Sequence, residues 1–140
     1  MRIEIFDTNE FYLYLMRFWL LAICFTTFSC SPQRMIETDL YFGQSKPSGG
    51  TVSETEWNDF KEKYISKVFK EGSTIINVTG NWYDPEAHKL ITEPTYKVIY
   101  FYKRSAAISK QIDSLRYWYK NLFQQQSVLR VDKKVKASFQ

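Results

Sequence analysis

The chain has 140 residues, of which 44% are hydrophobic and 18% aromatic, enough for one modest core and too apolar for a disordered protein. Its formal charge of +4 is spread along the sequence, so nucleic acid is not an expected ligand.

The N-terminus reads as an address. Phe18–Phe28 is an apolar run preceded by Arg17 and followed by Ser29, Cys30 and Ser31, the three parts of a secretory signal. Extending the run back to Phe11 approaches a bilayer span, but Arg17 would then sit near its centre at a cost of roughly 2.5–3.5 kcal/mol. Small Ser29 before Cys30 resembles the bacterial lipoprotein processing site, where the cysteine is acylated and becomes the new N-terminus; Thr27 stands where that pattern favours Leu. Leu21–Cys24 supplies the leucine but puts Ile23 at the cut. The expected division is a signal segment over 1–29, a lipidated tether over 30–36 and a folded domain over 37–140. The partner so implied is a membrane, reached through several acyl chains on Cys30, with the head exported and facing the periplasm. Glu4, Asp7 and Glu10 are an acidic preface to such a signal, so translation is expected to start at Met16, with 1–15 a gene-model extension. Cleavage before Cys30 leaves one acylated cysteine, with no disulfide and no cysteine metal site.

In the folded part, Ile36, Thr38, Leu40 and Phe42 alternate with Glu37, Asp39 and Tyr41, a half-buried strand that Gly43 ends. The loop Gly43–Thr51 carries Pro47, Ser48, Gly49 and Gly50 and reads as flexible or tightly turned. Ser53 and Glu56 form a capping box, and Val52 with Trp57 a hydrophobic staple. The stripe Trp57, Phe60, Tyr64, Ile65, Val68 makes an amphipathic helix stopped at Gly72. A strand follows over Thr74–Tyr83, with Ile76, Val78, Gly80 and Trp82 on one face. Asp84–Pro94, which contains His88, reads as the long loop of a hairpin joining this strand to the next. Thr95–Lys103 is the strongest strand signal in the chain, apolar on both faces and therefore central: Tyr96, Val98, Tyr100 and Tyr102 on one side, Ile99 and Phe101 on the other. A second helix over Ser105–Gln125 presents Ile108, Ile112, Leu115, Tyr119, Leu122 and Phe123. The last strand, Val128–Phe139, is expected to bury Leu129, Val131, Val135 and Ala137 and to show Arg130, Asp132, Lys134 and Lys136 to water.

Strand, helix, strand, strand, helix, strand is the ferredoxin-like α+β arrangement, a four-stranded antiparallel sheet with two helices on one face. The open face would present Tyr96, Tyr100 and Tyr102, or Ile99 and Phe101 if the facing is reversed. An aromatic patch there suggests a homodimer packed through the sheets, the alternative being a loop folded over it.

Several stretches together resemble a known family. Thr38-x-Leu40-Tyr41-Phe42-Gly43, Gly49-Gly50-x-Val52-Ser53-x-x-Glu56-Trp57-x-x-Phe60, Gly80-x-Trp82, and Tyr119-Lys120 with Ser127-Val128-Leu129-Arg130 resemble small exported bacterial proteins grouped as domain of unknown function 3574. The likeness runs over about Glu37–Phe139. Members often carry lipoprotein signals, in keeping with Cys30. Gln126 departs from the pattern, which commonly has Glu before Ser-Val-Leu. The resemblance implies no activity.

Chemistry is sparse. His88 is the sole histidine, which excludes a multi-histidine metal site, and Gly49-Gly50 lacks the spacing and lysine of a phosphate loop. No cofactor or metal is expected. Glu93, at the mouth of the central strand, is the one candidate general base, with a lysine pairing or a cap as the plainer reading. Tyr41, Trp82, Tyr96, Tyr100 and Tyr102 are the candidate pocket or interface residues. Two function classes follow: a non-catalytic envelope protein binding a partner or small ligand, or a small cofactor-free enzyme with a tyrosine-lined pocket and an acid such as Glu93.

Overall fold

The computed structural model describes residues 33–138; the signal segment, Cys30 and the last two residues lie outside the described residues. Strand β1 (Gln33–Gly43) is followed by helix α1 (Glu54–Phe60), which runs on through a π-helical stretch (Lys61–Ile65) into a last α-turn (Ser66–Val68). Strands β2 (Thr74–Asp84) and β3 (Lys89–Tyr102), helix α2 (Ala106–Phe123) and strand β4 (Leu129–Ala137) complete the order. The sheet is antiparallel with strand order β2-β3-β1-β4. This is the ferredoxin-like α+β fold, with β1 and β3 central.

The caps form as their residues dictate. Ser53 accepts from the Glu56 N–H while the Glu56 carboxylate returns to the Ser53 N–H at 2.8 Å. Val52 and Trp57 are both buried. The π stretch sets Tyr64 against Phe60 at 5.1 Å between ring centroids while Ile65 stays in the core. The helix ends before Gly72: Phe69 leaves the helical region and drives its ring onto Tyr100 at 4.0 Å. On α2, Ile112, Leu115, Tyr119 and Phe123 are buried, but Leu122 is exposed.

Three sequence expectations are corrected. The hairpin forms, but its loop is short: most of Asp84–Pro94 is paired, from Asp84–Lys89 through to Thr74–Ile99. The Asp84 carboxylate accepts from the Glu86 and Ala87 N–H groups and closes the turn. Pro94 fits inside β3 because its carbonyl accepts from the Gln44 N–H beyond the end of β1. Its missing N–H points to that same side, where the β1 ladder has run out.

The facing of β3 is the reverse of the one placed first. Tyr96, Val98, Tyr100 and Tyr102 point at the helices: Tyr96 stacks on Trp57 at 4.1 Å, and Tyr100 lies between Phe69 and Tyr102. The open face receives Lys97, Ile99 and Phe101, because Lys97 pairs with Asp39 across β1, and a lysine–aspartate pair is poorly suited to an aromatic core.

β4 is also turned over. Arg130 and Asp132 face the helix layer, where α2 offers Ser109 and Asp113, while Leu129 is exposed and Val131, Val135 and Ala137 are only half-buried. Val128, just before the strand, fills the core instead.

Candidate functional site

The open face ends in a cleft where β1 stops and the β2–β3 hairpin runs on. Register places Gly43 beside Thr95, and Gly80 beside Glu93. Alternation then brings Tyr41, Gly43, Gly80, Trp82 and Glu93 to one surface. The two glycines make the room. A Cβ on Gly43 would stand 2.8 Å from both Glu93 carboxylate oxygens, and one on Gly80 would stand 2.9 Å from Thr95 Oγ1. The carboxylate therefore lies across bare backbone, accepting from the Ser45 N–H at 3.3 Å, with its remaining acceptor capacity toward the cleft.

The cleft has a volume of about 530 Å³, and its walls include Tyr41, Lys46, Trp82, Gln126 and Leu129. The Gly43–Thr51 loop along one wall is tied down, not loose. Ser45 bridges to Thr51, Val52 N–H donates to Gln44 O at 2.8 Å, and Gln125 Nε2 donates to Ser45 O at 2.6 Å. Gly49 and Gly50 turn the loop with φ of 93° and 78°. Lys46 binds Glu56 at 2.7 Å, and that hydrogen bond, with the Ser53 backbone and hydroxyl donors, draws the Glu56 carboxyl down to about 2. Lys46 is thus committed to Glu56, and among the described residues Glu93 forms no ion pair. From below, Tyr119 donates to Gly43 O at 2.9 Å. Burial pushes its phenol up, with Tyr96, Glu93 and Glu56 adding to the shift.

A second polar group occupies the middle of the open face. Asp39 is 1% exposed and accepts on Oδ2 from Lys97 at 3.0 Å and Lys133 at 2.9 Å, while Oδ1 has no partner among the described residues. Burial alone would raise its carboxyl, but the hydrogen bonds from Lys133 and Lys97 outweigh it and hold it low. Lys97 also lies 5.4 Å from the Tyr41 ring centroid.

Of the residues singled out from sequence, Glu93, Tyr41 and Trp82 meet in the cleft. Tyr96, Tyr100 and Tyr102 do not: they are packed under the helices and line no pocket with them. His88 sits in the hairpin turn with φ of 50°, and Cys30 lies outside the described residues. Gly43, Gly80, Ser45 and Gln126 join the site only in the folded chain. A glycine amid the β-formers of β2 was the available signal, since it marks close approach of another group. Among the described residues no cluster of His, Cys, Asp or Glu is placed to hold a metal, and no helix is long and apolar enough to cross a membrane.

Tyr41, Gly43, Gly80, Trp82, Ser127 and Leu129, quoted above as dispersed motif residues, all line this one cleft. The sequence profile of DUF3574, described as a protein of unknown function, matches residues 37–139. The chain belongs to the DUF3574 family. A comparison with curated proteins finds no match. Among solved structures, it is similar to a phage SAM lyase in complex with S-methyl-5'-thioadenosine, with a TM-score of 0.53 and 13% identity over 74% of this chain and 90% of that one. A phage SAM lyase in the apo state gives 0.50 and 14% identity, covering 76% and 93%. CutA from Synechococcus elongatus gives 0.49 and 9% identity, covering 77% and 82%. The lyase likeness speaks to the ferredoxin-like fold alone.

Proposed function

We propose that this DUF3574 protein is a lipid-anchored component of the bacterial cell envelope whose head, facing the periplasm, binds a small positively charged ligand in the Glu93 cleft without transforming it. The anchor reading rests on the apolar run Phe18–Phe28 and on Ser29 before Cys30. One observation carries the ligand reading: Glu93 lies over two glycines with a single backbone donor, in a cleft walled by Trp82 and Tyr41. A carboxylate with open acceptor sites in a cleft with the exposed Trp82 ring recognises an ammonium or guanidinium group, by hydrogen bonding and by attraction to the ring.

Native mass spectrometry of the protein purified from its own host tests both parts. The expected result is an acyl mass on Cys30 and a retained small cation that is lost in Glu93→Gln. A head that never carries a ligand, or one that carries it equally well in Glu93→Gln, removes the binding reading.

The same carboxylate favours a second reading, in which Glu93 takes a proton from a bound substrate as general base. Gln126 lines this cleft where the family pattern commonly has Glu, so a partner acid is missing here. Incubating the retained ligand with the protein separates the two: a binding protein returns it unchanged, whereas an enzyme consumes it and loses turnover in Glu93→Gln. The open sheet face, with Ile76, Ile99 and Phe101 exposed or half-buried around a group in which Lys97 and Lys133 balance Asp39 and Glu37, suits pairing with a second copy. Sedimentation of wild type against Phe101→Glu measures that pairing; a wild-type monomer at all concentrations excludes it.

A further inference from the structure

Basic residues scattered along the sequence gather at the end of the sheet opposite Glu93. Pairing sets Arg34 across from Lys136, and Ile36 across from both Lys134 and Tyr102. Lys103 and Arg104 follow Tyr102 directly. All five cations are exposed, and among the described residues none forms an ion pair. Arg130 nearby is different, being held by Asp113 and Asp132. Arg34, Arg104, Lys134 and Lys136 also rim a groove of about 420 Å³ with Ile36 and Val135 in its wall.

The tether reaches the head at this same end. Only Ser31 and Pro32 separate Cys30 from Gln33, a chain contour of roughly 10 Å. β1 then carries the fold away from that point for roughly 30 Å before Gly43 and the cleft. Taking Cys30 as the anchor, as proposed above, the five cations stand within about one or two Debye lengths of the bilayer. Single exposed charges contribute little, but several facing an anionic surface add, each multiplying the partition by about fivefold.

We propose that the end formed by Arg34, Lys103, Arg104, Lys134 and Lys136 docks on an anionic phospholipid surface, holding the head upright with the Glu93 cleft turned away from the membrane. Docking restricts the tethered head to one orientation and keeps the cleft open to soluble ligands.

The test uses the full chain reconstituted into vesicles of phosphatidylcholine alone or mixed with equal phosphatidylglycerol, treated with an amine-acetylating reagent and read by mass spectrometry. Lys103, Lys134 and Lys136 are expected to react about tenfold more slowly on the anionic vesicles, with Lys89 at the far end unchanged. Molar salt, or the double variant Arg34→Gln/Arg104→Gln, should remove most of that protection. Equal protection on both vesicles, equal protection of Lys89, or the same protection from inorganic phosphate without vesicles overturns the docking. The intact mass of the sample separates this from the anchor: acylated Cys30 with unprotected lysines overturns docking alone, and unmodified Cys30 overturns the anchor.

Discussion

The Tyr119 hydroxyl donates to the Gly43 carbonyl across 2.9 Å, joining the C-terminal part of α2 to the last residue of β1 directly beneath the Glu93 carboxylate. The phenol is fully buried, its ring packed on Phe42 at 4.7 Å and Phe60 at 5.1 Å, so the bond is shielded from water. It is the link between the core and the floor of the cleft. Tyr119→Phe keeps the ring and leaves the Gly43 carbonyl short of a donor. The expected cost is about 1–2 kcal/mol, a fall in Tm of roughly 5 °C or more by scanning calorimetry. Unchanged stability would mean that water replaces the hydroxyl and the floor does not depend on it.

The two cleft glycines should respond differently to alanine. At Gly43 the new methyl meets the far end of the Glu93 side chain, which can swing aside, so the fold should survive with a loss below about 1 kcal/mol. The carboxylate then leaves its seat, and the retained cation should be lost as completely as in Glu93→Gln. At Gly80 the methyl meets Thr95 Oγ1 on a short, stiff, buried side chain, so about 1–2 kcal/mol of stability should go as well. Paired urea melts and native mass spectra of the two variants check this. A Gly43→Ala protein that still holds its ligand would show that the Glu93 position is incidental.

Arg130 shows both how strongly β4 is held and why its facing was hard to read. Its guanidinium binds Asp132 at 3.1 Å, Asp113 at 3.0 Å and Ser109 Oγ at 3.0 Å, tying the edge strand to α2. The planar fork serves three partners in fixed directions, which a lysine ammonium cannot do. Arg130→Lys should therefore cost about 1–2 kcal/mol, and Arg130→Ala no less, measured by urea unfolding. A lysine variant as stable as wild type would reduce the network to simple charge pairing.

The residues that were legible are those whose neighbours are close in sequence. Ser53, Glu56, Val52 and Trp57 specify the start of α1 within a few residues, and Thr95–Lys103 declares itself central by being apolar on both faces. That same two-sidedness hides the facing. Periodicity cannot choose between Tyr96–Tyr102 and Ile99–Phe101, because the deciding contacts, Lys97 with Asp39 and Tyr96 with Trp57, join different elements. Arg130 reads as a solvent guard in sequence because its partners Ser109 and Asp113 lie on α2. Glu93 was visible as a carboxylate before a proline. Its seat was not, since Gly43 and Gly80 come from two other strands.

The Asp39 group gives the open face a pH signature. The folded protein holds the Asp39 carboxyl low despite burial, through Lys133 and Lys97, and raises both lysines through their hydrogen bonds to Asp39. Asp132 is likewise held low: burial would raise it, but the Thr38 hydroxyl and Arg130 outweigh that. A depressed carboxyl stabilises the fold above its unfolded value, near 4, and the gain is lost as pH falls through the folded value. The raised lysines contribute below their unfolded value, near 10.4, and lose it as pH rises through the folded one. Asp39→Asn removes the charge but not the shape. Because Lys97 and Lys133 are 20% and 49% exposed, they can turn to water, so the loss at pH 7 should be about 1–2 kcal/mol, less than for a fully buried pair. Urea melts across the acid range should show this gap closing as pH falls below the unfolded carboxyl value, near 4, and through the lower folded one, where wild type also loses the charge. A gap that persists unchanged into acid would locate the effect in packing of the amide, not in the ion pair.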